Sequence, residues 1–123
     1  QVFDALIAEG KPAYCKQEKL TPQQAVDVIH HAGGIASFAH PSEVGNREVA
    51  EAILQQVNFD AVEVWHPSAL ENNETELWLK KAQEHGLLTS GGSDFHGDPR
   101  RFPSKLGVFK VGYEDVAAVI NYK

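Results

Sequence analysis

The pentapeptide Ser93-Asp94-Phe95-His96-Gly97 follows a strand-like run, Gly86-Leu87-Leu88-Thr89-Ser90. In extended backbone, residues i and i+2 project to the same face. Asp94 and His96 are therefore expected to aim a carboxylate and an imidazole at one point, a pincer for a metal ion. That pair of donors suits zinc, manganese or iron, rather than calcium or magnesium alone. A second apolar run, Ile35-Ala36-Ser37-Phe38-Ala39, ends at His40-Pro41, and a third, Ala61-Val62-Glu63-Val64-Trp65, ends at His66-Pro67. In barrels and open parallel sheets, ligands and catalytic groups gather at the carboxyl ends of strands. Three hits on one edge form a constellation, which three scattered histidines would not. His40, Asp94 and His96 are the candidate catalytic and metal-ligating residues. His66 is a candidate substrate contact, set against the alternative that it caps a turn. Arg100 and Arg101, just past the Asp-x-His loop, are placed to meet a phosphate or else belong to a solvated charged loop. Glu63 faces either a barrel interior or a polar outer layer. His30, His31 and His85 fall on helices and read as solvated or as partners of helix C-termini. Trp65, Trp78 and Phe102 read as packing residues.

The elements that must position these groups alternate regularly. Residues 2–9 read as a short helix stopped at Gly10, and 11–20 as a polar connector broken by Pro12. Thr21-Pro22-Gln23-Gln24 is a strong helix start, with a threonine cap, proline in the first turn and glutamine three residues after the cap. Ala25, Val26, Ile29 and Ala32 then recur at helical spacing until Gly33-Gly34 ends the helix. The run 35–39 is short and nearly continuously apolar, as buried parallel strands are. Asn46 opens a second helix carrying Val49, Ala50, Ile53, Leu54 and Val57, followed by the strand 61–65. Asn73 with Glu76 opens a third helix through Leu77, Trp78 and Ala82, stopped at Gly86, before the strand 87–90. A last strand at 106–111 and a helix at 113–120 complete the pattern. Such alternation predicts an α/β fold with a parallel sheet or barrel.

A chain of 123 residues is one domain's worth, and we expect a single domain over 1–123, with 1–20 as lead-in and 21–123 as β/α units. Seventeen acids against 11 bases argue against general nucleic-acid binding through a basic surface. They leave room for a nucleotide in a local, metal-charged pocket. The single cysteine, Cys15, rules out an internal disulfide framework and fits a reducing compartment, so a cytoplasmic location is expected. No apolar run approaches transmembrane length and no signal peptide is visible. The sequence opens at Gln1 and contains no methionine, which leads us to expect a processed chain or a piece of a longer one.

Ala32-Gly33-Gly34-Ile35-Ala36 with Ala39-His40-Pro41, and then Ser90-Gly91-Gly92-Ser93-Asp94-Phe95-His96-Gly97, resemble the late motifs of the PHP (polymerase and histidinol phosphatase) domain. Phe3-Asp4 through Gly10-Lys11-Pro12-Ala13-Tyr14 resembles the lead-in of its stand-alone phosphoesterase branch. The resemblance implies the C-terminal portion of a distorted (β/α)7 TIM-like barrel, with up to three divalent ions (Mn, Zn or Fe) at the strand ends. By the same resemblance His40 is a metal-ligating histidine, and Asp94 and His96 are the paired ligands of the last motif. The implied activity is metal-dependent hydrolysis of a phosphate monoester or short nucleotide by an activated water. A complete member opens with a His-x-His strand that this sequence lacks. The chain therefore resembles a C-terminal half, whose open barrel edge is expected to be covered by an N-terminal segment or a second chain. Two alternatives stand beside this reading: a non-catalytic or regulatory half-barrel, and an amidohydrolase-type hydrolase acting on a C–N bond. No membrane partner and no extended nucleic acid are expected.

Overall fold

A computed structural model describes residues 2–16 and 19–122; residues 17 and 18 of the expected connector lie outside the described residues. The first helix, α1 (Pro22–His31), begins as its sequence dictates. Thr21 Oγ1 accepts from the Gln24 backbone N–H at 3.3 Å, and the Gln24 side chain accepts from the Thr21 N–H at 2.9 Å. This reciprocal box satisfies two of the N–H groups that a helix start leaves without partners. At the other end Gly33, at φ +80°, takes the left-handed turn that releases the chain toward the sheet.

Three parallel strands follow, β1 (Ser37–Phe38), β2 (Ala61–Trp65) and β3 (Leu88–Gly91), in the order β1-β2-β3. The register sets Ser37 beside Ala61, and Glu63 beside Ser90, before shifting so that Trp65 meets Gly91. Between the strands run α2 (Arg47–Gln56), α3 (Pro67–Glu71) and α4 (Thr75–His85). Asn46 caps α2 by accepting from the Val49 N–H at 3.1 Å, and Gly86, in the left-handed region, ends α4. Alternation decides the two faces of β2. Val62 and Val64 point to one side and are fully buried against Ala50, Leu54, Ala69, Trp78 and Ala82. Glu63, between them, points to the other side. Strand β3 is flanked by α5 (Tyr113–Ile120), to which Thr89 Oγ1 donates at the Asp115 carbonyl, 2.7 Å away.

Four expectations need correction. The run 106–111 is not a strand. Leu106 and Val108 are 74% and 53% exposed, Gly107 turns at φ +80°, and the run joins no ladder in the sheet of β1, β2 and β3. An apolar run becomes a strand only where a neighbour completes its hydrogen bonds. The strand expected over 35–39 contracts to Ser37–Phe38, and the expected helix 2–9 is a single π-helical turn, Phe3–Ile7. The third long helix begins later than expected. Asn73 sits in a left-handed turn at φ +56°, Glu74 is the N-cap, and the short α3 inserts ahead of it. What the structure shows is an α/β fold with a parallel sheet.

Candidate active site at the carboxyl ends of the strands

His40 follows β1, His66 follows β2, and Asp94 and His96 follow β3, so the topology brings all four to one edge of the sheet. His40 adopts φ +30°, ψ +59°, a left-handed conformation that costs a non-glycine residue roughly 1–3 kcal/mol. Its surroundings hold it there. The His40 N–H donates to Glu63 Oε2 at 2.8 Å, the polar face of β2 reaching under the β1 end. Pro41 then starts a 3-10 turn, Pro41–Glu43, whose Ser42 Oγ accepts from the buried Trp78 indole N–H at 2.9 Å. The same turn delivers Glu43, whose carboxylate lies 3.6 Å from His40 Nδ1 and 3.9 Å from His66 Nδ1.

His66 is only 3% exposed and caps α3, its Nδ1 accepting from the Ser68 backbone N–H at 3.2 Å, with Ser68 Oγ 2.7 Å away. Its ring centroid is 5.4 Å from that of His40. Its Nε2 is buried without a hydrogen-bond partner and lies 3.9 Å from Asp94 Oδ2. Asp94 Oδ2 lies in turn 3.6 Å from His96 Nδ1.

The route by which Asp94 and His96 converge differs from the expected one. β3 ends at Gly91, and Asp94 stands at φ +48°, so no extended backbone carries the pair. A turn brings them together instead, closed by His96 Nδ1 against the Asp94 carbonyl oxygen at 2.5 Å. A carbonyl only accepts, so that contact puts the proton on Nδ1 and leaves the His96 Nε2 lone pair free. Metal-ligating histidines are held in this way.

The donor chemistry of His40, Asp94 and His96, imidazole nitrogen with carboxylate oxygen, fits a zinc-, manganese- or iron-type ion. Among the described residues, however, no group of three or more His, Cys, Asp or Glu side chains is arranged to hold a metal ion. Arg100 is turned away: its guanidinium forks onto Asp98 at 2.9 and 2.8 Å, and its side chain is 87% exposed. That hydrogen bonding holds the Asp98 carboxyl below its usual range. Arg101 is exposed in the same turn. Two carboxylates of the cluster escape sequence reasoning. Glu63 stays ambiguous there, and Glu43 has no signal beyond being an acid three residues after His40.

A parallel α/β sheet with histidine and carboxylate side chains at its carboxyl edge places those groups where α/β folds gather their ligands. The chain is 39% identical over 101 residues to the 5'-3' exoribonuclease Rnm of Escherichia coli, matching 77% of this chain and 33% of that protein. It is 34% identical over 99 residues to a 3',5'-nucleoside bisphosphate phosphatase of Chromobacterium violaceum, matching 77% of this chain and 34% of the relative. A solved structure described as an amidohydrolase from Chromobacterium violaceum, with bound sulfate and no metal, superposes with a TM-score of 0.57 at 32% identity, over 77% of this chain and 34% of that one. The chain spans about a third of the length of the curated relatives it matches. No family model matches. These relatives are hydrolases by name. Among the described residues no helix is long and apolar enough to cross a membrane.

Proposed function

We propose that this chain is the C-terminal part of a PHP-type, metal-dependent phosphoesterase whose fold continues into a distorted (β/α)7 barrel. The observation that supports it is the convergence of His40, His66, Asp94 and His96, from three strand ends, within a few ångströms of one another. In this reading His40, Asp94 and His96 hold divalent ions (Mn, Zn or Fe), with further ligands supplied from outside this stretch of sequence. A bound divalent ion supplies Lewis acidity toward phosphate oxygens and acidifies the attacking water. Glu43 orients His40, and Glu63 fixes the backbone on which His40 turns. His66 lines the pocket, and Arg101, or Arg100 once released from Asp98, clamps phosphate oxygens from the loop. The substrate is a phosphate monoester or short nucleotide. Two of the relatives are named for the two natural choices, the end of an RNA chain or a nucleoside bisphosphate. The setting we infer is the cytoplasm, with the remainder of the barrel or a second chain covering the open edge beside β1.

The experiment pairs metal content with product analysis. After dialysis, the protein should retain Mn, Zn or Fe that an Asp94→Ala/His96→Ala double variant loses, and should release inorganic phosphate from a 3',5'-nucleoside bisphosphate. Mononucleotide release from a 5'-phosphorylated oligoribonucleotide would place the substrate among RNA ends instead. The solved structure's description as an amidohydrolase keeps a second reading in play, C–N bond hydrolysis. Ammonia or carboxylate release without phosphate release would favour it and sink the phosphoesterase.

A further inference from the structure

The three histidines at the site do not present the same ring nitrogen to it. His96 Nδ1 faces the Asp94 carbonyl at 2.5 Å, and His40 Nδ1 faces the Glu43 carboxylate at 3.6 Å. The Asp94 carbonyl only accepts, so His96 keeps its proton on Nδ1 and offers a lone pair at Nε2, whereas the Glu43 carboxylate stands beyond hydrogen-bond distance of His40 and fixes no tautomer there. His66 is reversed. Its Nδ1 receives the Ser68 backbone N–H at 3.2 Å, and an amide N–H cannot turn round to accept. The Ser68 hydroxyl, 2.7 Å from the same nitrogen, can rotate and donate as well. Glu43 Oε1, at 3.9 Å, is too distant to draw a proton onto that atom. The hydrogen-bond network therefore assigns the ring proton of His66 to Nε2. That Nε2 is buried, has no hydrogen-bond partner, and lies 3.9 Å from Asp94 Oδ2.

Buried donors without partners are rare in folded proteins and costly to keep. From this the geometry points to a specific role: His66 is a hydrogen-bond donor to a phosphoryl oxygen of the substrate, and it is not a metal ligand. To ligate through Nε2 the ring would have to move its proton to Nδ1, directly against the Ser68 amide. As a donor it needs no rearrangement, because the α3 cap has already fixed both tautomer and orientation. An anionic oxygen is the acceptor that best rewards a pre-oriented N–H shielded from water. This role rests on the phosphoesterase reading, since it is the phosphoryl group that brings the oxygen.

Two substitutions separate capping from donation. In His66→Asn the carboxamide oxygen stands where Nδ1 accepts from Ser68, so the cap survives and the Nε2 donor is lost. In His66→Gln an N–H is restored near the Nε2 position. Long-range proton–nitrogen correlation spectra of the 15N-labelled chain should show His66 protonated on Nε2; a proton on Nδ1 would overturn the assignment. Calorimetric titration of the zinc-loaded protein with inorganic phosphate should show binding roughly ten- to a hundredfold weaker in His66→Asn. Zinc stoichiometry and the unfolding midpoint should stay unchanged, with partial recovery in His66→Gln. Loss of zinc from His66→Asn would make His66 a ligand, and unchanged phosphate affinity would remove the donor; either defeats the inference while leaving the phosphoesterase reading intact. A longer protein that carries the remaining ligands and still takes up neither zinc nor phosphate would defeat both.

Discussion

Gly91 ends β3 opposite Trp65, where the register between β2 and β3 shifts. A Cβ added there would lie 2.7 Å from Trp65 Cβ, 2.7 Å from the Trp65 carbonyl oxygen and 3.2 Å from Val111 Cγ2. The carbonyl is main chain and cannot swing aside as a side chain could. Relief requires the two strands to separate, but the same carbonyl accepts from the Gly92 N–H at 2.9 Å. Gly91→Ala therefore combines overpacking, about 1–3 kcal/mol, with a weakened ladder bond of about 1 kcal/mol. Against a domain stability of roughly 5–15 kcal/mol, a loss of about 2–4 kcal/mol is large. With a urea m-value of about 2 kcal/mol/M, the midpoint of unfolding should fall by about 1–2 M. Gly92→Ala is the matched control. Its added methyl meets only Glu63 Oε1 at 3.7 Å, ordinary van der Waals contact, and its φ lies outside the left-handed region. The assay is urea unfolding followed by tryptophan fluorescence and far-UV circular dichroism. A Gly91→Ala protein within about 0.5 kcal/mol of wild type, or a Gly92→Ala protein equally damaged, would refute the account of how β2 and β3 meet beneath the site.

Two further predictions concern what holds the site's supports together. Glu74, nearly buried, accepts at Oε1 from Arg47 Nε and Nη2 at 3.0 and 2.7 Å. Burial pushes its carboxyl up, but hydrogen bonds from Arg47, Ser42 and Trp78 outweigh this and leave it below the ordinary 4.5. A depressed folded value means stabilisation that is full above pH 4.5 and is lost as the pH falls through the folded value. Glu74→Gln should flatten the acid limb of the stability curve, measured by urea titrations from pH 6 down to pH 3, and cost about 1–3 kcal/mol near neutrality. Thr21→Ala removes the acceptor of the α1 capping box and should cost about 1 kcal/mol, read as a lowered thermal midpoint with the phosphate affinity unchanged.

The sequence by itself determined the parts that depend on near neighbours. The Thr21 box, the Asn46 cap and the glycine stops at Gly33 and Gly86 rest on contacts three or four residues apart, and each stands where local chemistry puts it. The alternation of β1, β2 and β3 with α1, α2, α4 and α5 was likewise legible, and so was the edge of the sheet to which His40, His66, Asp94 and His96 belong, because a parallel α/β unit sends successive strand ends to one side. Tertiary structure decided the rest. Whether 106–111 would pair depended on a neighbouring strand that no local pattern encodes, and α5 flanks β3 instead. Asp94 and His96 converge through a left-handed turn rather than a pleat, a backbone choice that the alternation of side chains does not record. Glu43 and Glu63 joined the cluster because a turn held by Trp78 and a strand two elements away met beneath His40. The tautomer of His66 was fixed by a single amide in the helix that follows it. Hydrogen bonds between distant segments depend on where the whole chain packs, and only the fold supplies that.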